Sequence, residues 1–218
     1  MLVLVGSRRM DSDIFQWTES FFLIFGTVGI LMGHFINRTR CERFVFAESA
    51  KQLAELQTRY AYYDQMTGLQ NRRAYSEKVE QLAKQLPVPC TVVMADINGL
   101  KETNDTLGHE AGDELIIGSA DCIRRSFDGI DTVYRLGGDE FTVIMESPEA
   151  EARKRLKQME KTCADWKGRL INGISISYGA ASAEEFSDLD SLLKEADRRM
   201  YAYKSNYYQT VGKERRKR

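Results

Sequence analysis

Histidine, proline and cysteine are scarce in this sequence. The 218 residues include only two histidines and three prolines, and the four cysteines (Cys41, Cys90, Cys122 and Cys163) lie far apart without a neighbouring histidine. This spacing argues against a paired metal-binding motif and a disulfide framework, and it favours reduced cysteines that pack in the core. Because the formal net charge is only −1, the overall electrostatics predict no nucleic-acid partner.

Long uncharged runs are also rare, with one exception near the start of the chain. Residues 21–36, FFLIFGTVGILMGHFI, carry no formal charge. This run is just short of the roughly 17–25 residues of a membrane-spanning helix, and residues 17–20 extend it when Glu19 lies at the interface. We therefore predict an N-terminal segment at 1–16 and a transmembrane helix at 17–37. A buried or interfacial helix is the alternative.

The charges beside the apolar run predict its orientation. Arg38, Arg40 and Arg43 follow it, whereas acidic residues offset the positive charge of the arginines that precede it. By the positive-inside rule, a single-pass helix in the inner (cytoplasmic) membrane would leave the rest of the chain in the cytoplasm. The run lies too far from the N-terminus, and lacks the small-residue cleavage site, for a signal peptide.

Residues 38–63 are polar and contain no glycine or proline. Within them, steps of four and three residues separate Phe46, Ala50, Leu53, Gln57 and Tyr60. Such a seam is typical of a short two-stranded coiled coil, and a solvated connecting helix is the alternative. In either case we predict a helical stalk that joins the membrane to a domain.

The remaining sequence alternates between two kinds of hydrophobic pattern and predicts a domain at residues 64–208, followed by a basic tail at 209–218. Apolar residues at helical spacing predict helices within 75–86, 111–127, 152–170 and 189–203. Continuous or alternating apolar runs predict strands at 90–95, 132–136, 141–145 and 174–180. Ser147 is expected to cap the third helix, with Pro148 at its first position. These elements predict an α/β fold with a mixed central sheet flanked by helices.

Acidic residues stand at the predicted ends of the strands. Asp96 follows a buried strand, and Asp139 and Glu140 follow Gly137 and Gly138 at the tip of a hairpin. A carboxylate in such a place is costly unless it is paired or bound to a cation. Three converging carboxylates favour a hard divalent cation, with Mg²⁺ the best fit. The two glycines permit a positive-φ turn and close approach of a phosphate, although by themselves they could form an ordinary turn.

Residues 98–113, NGLKETNDTLGHEAGD, are also rich in polar groups. Asn104 and Asp113 offer an amide and a carboxylate, which together can recognise the edge of a guanine base. Taken singly, each could instead be a helix cap.

Five stretches together resemble the GGDEF-domain diguanylate cyclases. They are DQMTGLQNRR (64–73), ADINGLKETNDTLGHEAGDELI (95–116), YRLGGDEF (134–141), SYG (177–179) and ADRRMYAYK (196–204). The resemblance covers about residues 64–204 and implies a nucleotide-cyclase palm-like GGDEF fold. It also implies the condensation of two GTP molecules into cyclic di-GMP with release of two pyrophosphates.

The resemblance implies specific roles for residues of this chain. Asp96 and the Ile97 carbonyl would hold Mg²⁺, or Mn²⁺, together with Asp139 and Glu140. Asp139 is also a candidate base for the attacking 3′-hydroxyl, and Lys101 would stabilise charge on the transferring phosphate.

The remaining implied roles concern GTP and the partner subunit. The residues expected to bind GTP are Asn104, His109, Asp113, Gly137, Gly138 and Lys204. The backbone after Ile97 would cradle the β- and γ-phosphates. Because each domain would hold one GTP, the resemblance implies a homodimer through the GGDEF domains and the stalk.

Two positions depart from the family pattern. Tyr208 stands where the family has a phosphate-binding arginine, and loss of a charge-assisted contact weakens binding by about 1.5–3 kcal/mol if nothing substitutes for it. Asp128 replaces the arginine of the family's product-inhibition motif, while Asp131 is retained, so we predict no working inhibition site. The leading interpretation is an active diguanylate cyclase anchored in the membrane. A catalytically silent GGDEF domain that binds GTP or a partner is the alternative, and a purely structural dimerisation module would leave the acids without a purpose.

Overall fold

The computed structural model describes residues 2–127, 133–186 and 188–215. The chain forms two compact units that divide between Gln57 and Thr58. Helix α1, Leu2–Tyr62, contains all the described residues of the first unit. Residues 38–62 of the predicted stalk are therefore helical, and their role as a stalk stays a prediction.

The apolar side chains of α1 that the structure describes are exposed. In the uncharged run, Phe22 is 80% exposed and Phe35 is 69% exposed. Among the described residues, Phe21–Tyr62 is the one segment whose length and composition would allow it to cross a membrane, with a mean hydropathy of 1.4 in its most apolar window. Phe46 and Leu53 of the predicted stalk seam are also exposed, so a single chain leaves this seam uncovered.

The second unit alternates helices and strands. Its elements are α2 Arg72–Lys84, β1 Thr91–Ile97, α3 Leu100–Leu107, α4 His109–Ser126, β2 Val133–Gly137, β3 Glu140–Met145, α5 Glu149–Ala164, β4 Ile176–Ser182 and α6 Leu189–Arg215. The four strands form one sheet in the order β2-β3-β1-β4. All pairings between these strands are antiparallel. Within the part of the chain that the structure describes, a parallel component of the predicted mixed sheet is seen only at the isolated bridge between Gln70 and Tyr134.

The central strand β1 is buried on both faces because helices cover each side of the sheet. Alternate residues of a strand point to opposite faces. Val93 and Ile97 belong to the core that includes Ile123 of α4 and Met159 of α5. Val92 belongs to the second core, with Leu82 of α2 and Leu192 of α6. This two-sided burial explains the uninterrupted apolar run in the sequence of β1.

Two predictions around α5 are wrong. Pro148, not Ser147, is the N-cap residue of α5, and no side chain caps this helix. The Ser147 backbone carbonyl accepts a hydrogen bond from the Thr91 hydroxyl at 2.7 Å. This contact holds Ser147 against β1, before the helix starts.

The predicted third helix also extended too far. The helix ends at Ala164, and the chain then turns back through a bridge between Lys167 and Asn172. The Glu114 carboxylate accepts hydrogen bonds from the backbone N–H groups of Leu170 and Ile171 in this loop. Trp166 still packs against the core, which explains why its spacing resembled a continuing helix.

Two further differences concern helices. Helix α3 was not predicted, since it is only 8 residues long and buries none of them, so it has no apolar periodicity. At the other end of the chain, α6 continues to Arg215. The first seven residues of the predicted basic tail, 209–215, are therefore helical.

Candidate active site

The end of β1 and the tip of the β2–β3 hairpin lie side by side. Asp96 and Glu140 are direct partners in the β1–β3 register, and the Ile97 N–H donates to the Asp139 carbonyl at 3.1 Å. Gly137 and Gly138 adopt φ values of 141° and 54°, which residues with a Cβ rarely tolerate. These glycines make the turn that brings Asp139 and Glu140 next to Asp96.

The side chain of Arg135 is hydrogen-bonded to this turn. Its side chain is only 8% exposed, and its guanidinium donates to the Gly138 carbonyl at 3.0 Å and to Asp64 Oδ1 at 2.8 Å. Asp64 also accepts from the Thr67 hydroxyl at 2.7 Å. The pair therefore joins the segment after α1 to the acidic turn.

Arg72 makes a second connection to the hairpin. Its Nε donates to the Leu136 carbonyl at 2.7 Å, and its guanidinium lies 3.7 Å from Glu140 Oε2. Sequence reasoning missed the positioning roles of Asp64, Arg72 and Arg135. Asp64 and Arg135 lie 71 residues apart along the chain, and Arg72 and Leu136 lie 64 apart, so no local pattern connects them.

Asp96 is almost completely buried and its carboxylate is paired with Lys204. The Lys204 Nζ to Asp96 Oδ1 distance is 2.6 Å. Burial raises the pKa of Asp96, and the charges of Asp139 and Glu140 raise it further, outweighing the opposing effect of Lys204. Burial alone would lower the pKa of Lys204, but the hydrogen bond to Asp96 and the nearby acids raise it overall. The raised pKa of Lys204, and the part of the Asp96 shift that comes from Asp139 and Glu140, indicate negative charge at this point, which favours cations.

The donor groups at this strand end suit a hard divalent cation. Asp96, Asp139 and Glu140 contribute carboxylate oxygens, and Ile97 contributes a backbone carbonyl, which are the ligand types that Mg²⁺ prefers. Across residues 2–127, 133–186 and 188–215, the structure contains no preassembled group of three His, Cys, Asp or Glu side chains that could hold a metal. Glu140 instead faces Arg72 in an exposed pair, and such pairs hold a side chain only weakly. The assignment of these residues as metal ligands stays a prediction.

Asn104 and the start of α4 lie in close contact. A Cβ added to Gly112 would lie 1.9 Å from Asn104 Oδ1, so any larger residue at this position would displace the Asn104 amide from the helix. Asp113 is the next residue along α4, and it is exposed, as is His109 at the first position of that helix. The structure thus brings Asn104 to the same helical turn as Asp113 and His109, and leaves polar groups of this turn open to solvent.

The turn between β1 and α3 lies against Tyr208 of α6. Gly99 precedes α3 with a φ of 76°, and no side chain caps this helix. Lys101 lies exposed in the first turn of α3. The Gly99 N–H donates to the Tyr208 hydroxyl at 3.2 Å, and Tyr208 is one helical turn beyond Lys204 on α6.

The two residues of the expected product-inhibition motif, Asp128 and Asp131, lie outside the described residues. Their prediction is therefore untested.

An antiparallel sheet with helices on both faces, carrying a Gly-Gly-Asp-Glu hairpin beside an acid at the end of the central strand, defines a GGDEF-type domain. The model of the family described as "Diguanylate cyclase, GGDEF domain" matches residues 61–209. The chain belongs to this family, as its motifs predicted. The family is associated with the synthesis of cyclic di-GMP.

Individual relatives agree with this assignment. The chain is 31% identical over 149 residues to the diguanylate cyclase DgcS of Shewanella oneidensis, a match that covers 67% of this chain and 50% of the relative. It is 31% identical over 179 residues to the response regulator PleD of Caulobacter vibrioides, covering 78% of this chain and 39% of PleD. The chain thus spans half or less of the length of these two curated relatives.

A solved structure shows the same fold. The coiled coil and GGDEF domain of DgcB from Caulobacter crescentus, in complex with c-di-GMP, matches with a TM-score of 0.67 at 23% identity. The match covers 78% of this chain and 95% of that one.

Proposed function

We propose that this chain is a diguanylate cyclase, which condenses two GTP molecules into cyclic di-GMP and releases two pyrophosphates. The observation that supports it most strongly is the buried Asp96 at the end of β1, in register with Glu140 and beside Asp139. Burying a carboxylate costs desolvation free energy, and a binding site for a cation and phosphates would account for its position here.

Asp96, Asp139, Glu140 and the Ile97 carbonyl would hold Mg²⁺ or Mn²⁺. The cation, when bound, neutralises charge on the triphosphate and on the leaving pyrophosphate. Lys204, which pairs with Asp96 in this structure, would contact the triphosphate as well. Lys101, exposed beside the same turn, would stabilise charge on the phosphate that is transferred.

The reaction is a displacement at the α-phosphorus of each GTP. The 3′-oxygen of one nucleotide forms a bond to the α-phosphorus of the other, and the bond from that phosphorus to the pyrophosphate oxygen breaks. The proton of the 3′-hydroxyl goes to a carboxylate, for which Asp139 is the first candidate and Glu140 the second. Positioning matters more than covalent chemistry here, so the Arg135 contacts that hold the Gly138 turn would support activity.

The base-recognition site would lie between α3 and α4. The Asp113 carboxylate can accept hydrogen bonds from the N1–H and amino group of guanine, which adenine cannot offer in the same pattern. Asn104 would bind the same base through its amide. His109, at the start of α4, and the Gly137–Gly138 backbone would contact other parts of GTP.

Each such domain would hold one GTP, so two copies must face each other to complete the reaction. The exposed seam of Phe46 and Leu53 on α1 offers a surface through which two stalks could pair. We propose a single-pass protein of the inner membrane with a span at 17–37, a stalk at 38–63, and a cytoplasmic catalytic domain at 64–208. The exposed apolar run of α1 supports this organisation.

Turnover of GTP by the full 218-residue chain, purified in detergent with Mg²⁺, tests the proposal. We expect a product with the mass of cyclic di-GMP and two pyrophosphates for each product molecule. The isosteric double variant Asp139→Asn/Glu140→Gln is the control and should make none. The alternative function, a silent GGDEF domain, is favoured by Tyr208 at the arginine position. It would show GTP binding without product in the wild-type chain.

A further inference from the structure

Tyr208 makes one contact that its sequence position did not predict. Its hydroxyl oxygen accepts a hydrogen bond from the Gly99 N–H at 3.2 Å, across 109 residues of sequence. Gly99 precedes α3, whose N-terminus has no side-chain cap. The Tyr208 hydroxyl therefore lies at the turn after Ile97, which the resemblance to the family assigns to the β- and γ-phosphates.

The chemistry of the hydroxyl indicates what else it can bind. A tyrosine hydroxyl has one O–H donor as well as lone pairs. Since a lone pair of Tyr208 receives the Gly99 N–H, the O–H remains directed away from that group. A hydroxyl that accepts a hydrogen bond also donates more strongly, because the two bonds polarise each other.

Hydrogen-bond donors lie near this hydroxyl, and the charge of Lys204 among them is paired with Asp96. Lys204 lies one helical turn earlier on α6 and reaches Asp96 on the same side of the domain. The N-terminal N–H groups of α3 add a partial positive charge at the same turn. The ligand that complements such a set of donors is an anion with several acceptor oxygens, such as a polyphosphate.

We propose that Tyr208 binds the terminal phosphates of GTP by donating its O–H, while the Gly99 N–H holds the hydroxyl in place. This inference rests on the proposed function, because it assigns a further substrate-binding residue to the same site. The contact substitutes a neutral donor for the arginine expected at this position. Affinity for the triphosphate should therefore lie between that of a variant without the hydroxyl and that of a variant with an arginine.

Binding measurements on the full chain in detergent test this order. The ligand is a GTP analogue with a methylene bridge between the α- and β-phosphorus atoms, which cannot undergo the proposed displacement. Calorimetric titration in the presence of Mg²⁺ compares wild type, Tyr208→Phe and Tyr208→Arg. Tyr207→Phe is the matched control, since it removes a hydroxyl from the neighbouring ring, whose centroid lies 5.3 Å from that of Tyr208. GMP, which lacks the β- and γ-phosphates, is the control ligand.

We expect Tyr208→Phe to weaken binding of the analogue by about 2- to 12-fold, the range for one neutral hydrogen bond. Tyr208→Arg should tighten it, and Tyr207→Phe should leave it unchanged. GMP should bind all four chains equally. Unchanged affinity of Tyr208→Phe would overturn the inference, and so would tighter binding, which would mean that Tyr208 blocks the Gly99 N–H. Failure of every chain, wild type included, to bind the analogue would overturn the proposed function together with this inference.

Discussion

The ion pair between Asp64 and Arg135 gives a stability prediction that can be worked out from the structure. Asp64 Oδ1 receives the Arg135 guanidinium at 2.8 Å, and the Arg135 side chain is 8% exposed, against 26% for Asp64. Replacing Asp64 by Asn keeps the shape and an acceptor oxygen for Thr67 but removes the charge that faces Arg135. The buried guanidinium then keeps its hydrogen bonds to the Gly138 carbonyl without a counter-charge.

The size of the effect follows from this partial burial. Breaking a fully buried pair by removing one partner costs about 3–5 kcal/mol. Asp64 is partly exposed and Arg135 retains a neutral acceptor, so the loss should be closer to that of one charged hydrogen bond, about 1.5–3 kcal/mol at pH 7. Because the same contacts hold the turn before Asp139, the rate of GTP turnover should fall as well.

The pH dependence has a definite sign. Burial raises the pKa of Asp64, but hydrogen bonds from Thr67 and Arg135 outweigh it, and the net pKa is lowered. The folded state therefore binds this proton less readily than the unfolded state does. The stabilisation is fully present above the unfolded pKa of about 3.9 and is lost as the pH falls through the lower folded value.

Urea unfolding at pH 7 and pH 3 measures both effects. Trp166 packs against the core, whereas Trp17 is exposed, so the change in tryptophan fluorescence reports on the C-terminal unit. Asp105→Asn, at an exposed site on α3, is the matched control and should change the free energy of unfolding by less than about 0.5 kcal/mol. Equal stability of Asp64→Asn and wild type at pH 7 would refute the reasoning, as would a loss that stays undiminished at pH 3.

Three further predictions concern the proposed activity. The double variant Asp139→Asn/Glu140→Gln should lose turnover while its unfolding free energy stays within about 0.5 kcal/mol of wild type, because both replacements are isosteric and neither side chain is buried. Product formation at the wild-type rate would contradict the assignment. For residues 58–218, the compact second unit, the rate per molecule should rise with protein concentration, since two loaded domains must meet; a rate that is constant down to nanomolar protein would rule out half-sites. Added micromolar cyclic di-GMP should leave the initial rate nearly unchanged, because Asp128 places a negative charge where the inhibition motif has an arginine, and Asp128→Arg should introduce inhibition. Strong inhibition of wild type that Asp128→Arg does not alter would indicate another site.

Much of the fold was predictable because local patterns agree with their final environment. The apolar run of β1 is buried on both faces, and the Gly-Gly pair of the hairpin has the positive φ values that only glycine accepts readily. The predictions failed where tertiary contacts outweigh local preference. Ser147 has the residue type of a helix cap, but its carbonyl is held by Thr91 of β1 before the helix begins.

Apart from the short helix α3, the sequence by itself determined the order of helices and strands, the acidic turn and the likeness to the GGDEF family. These depend on periodicity, on residue types with special backbone freedom, and on short motifs, all of which are local. Only the tertiary structure decided which distant residues meet. It placed Asp64 against Arg135, Lys204 against Asp96, and the Tyr208 hydroxyl against the Gly99 N–H. The physical reason is that the register of the sheet and the packing of α6 against it set these contacts, and both result from burial summed over the whole domain.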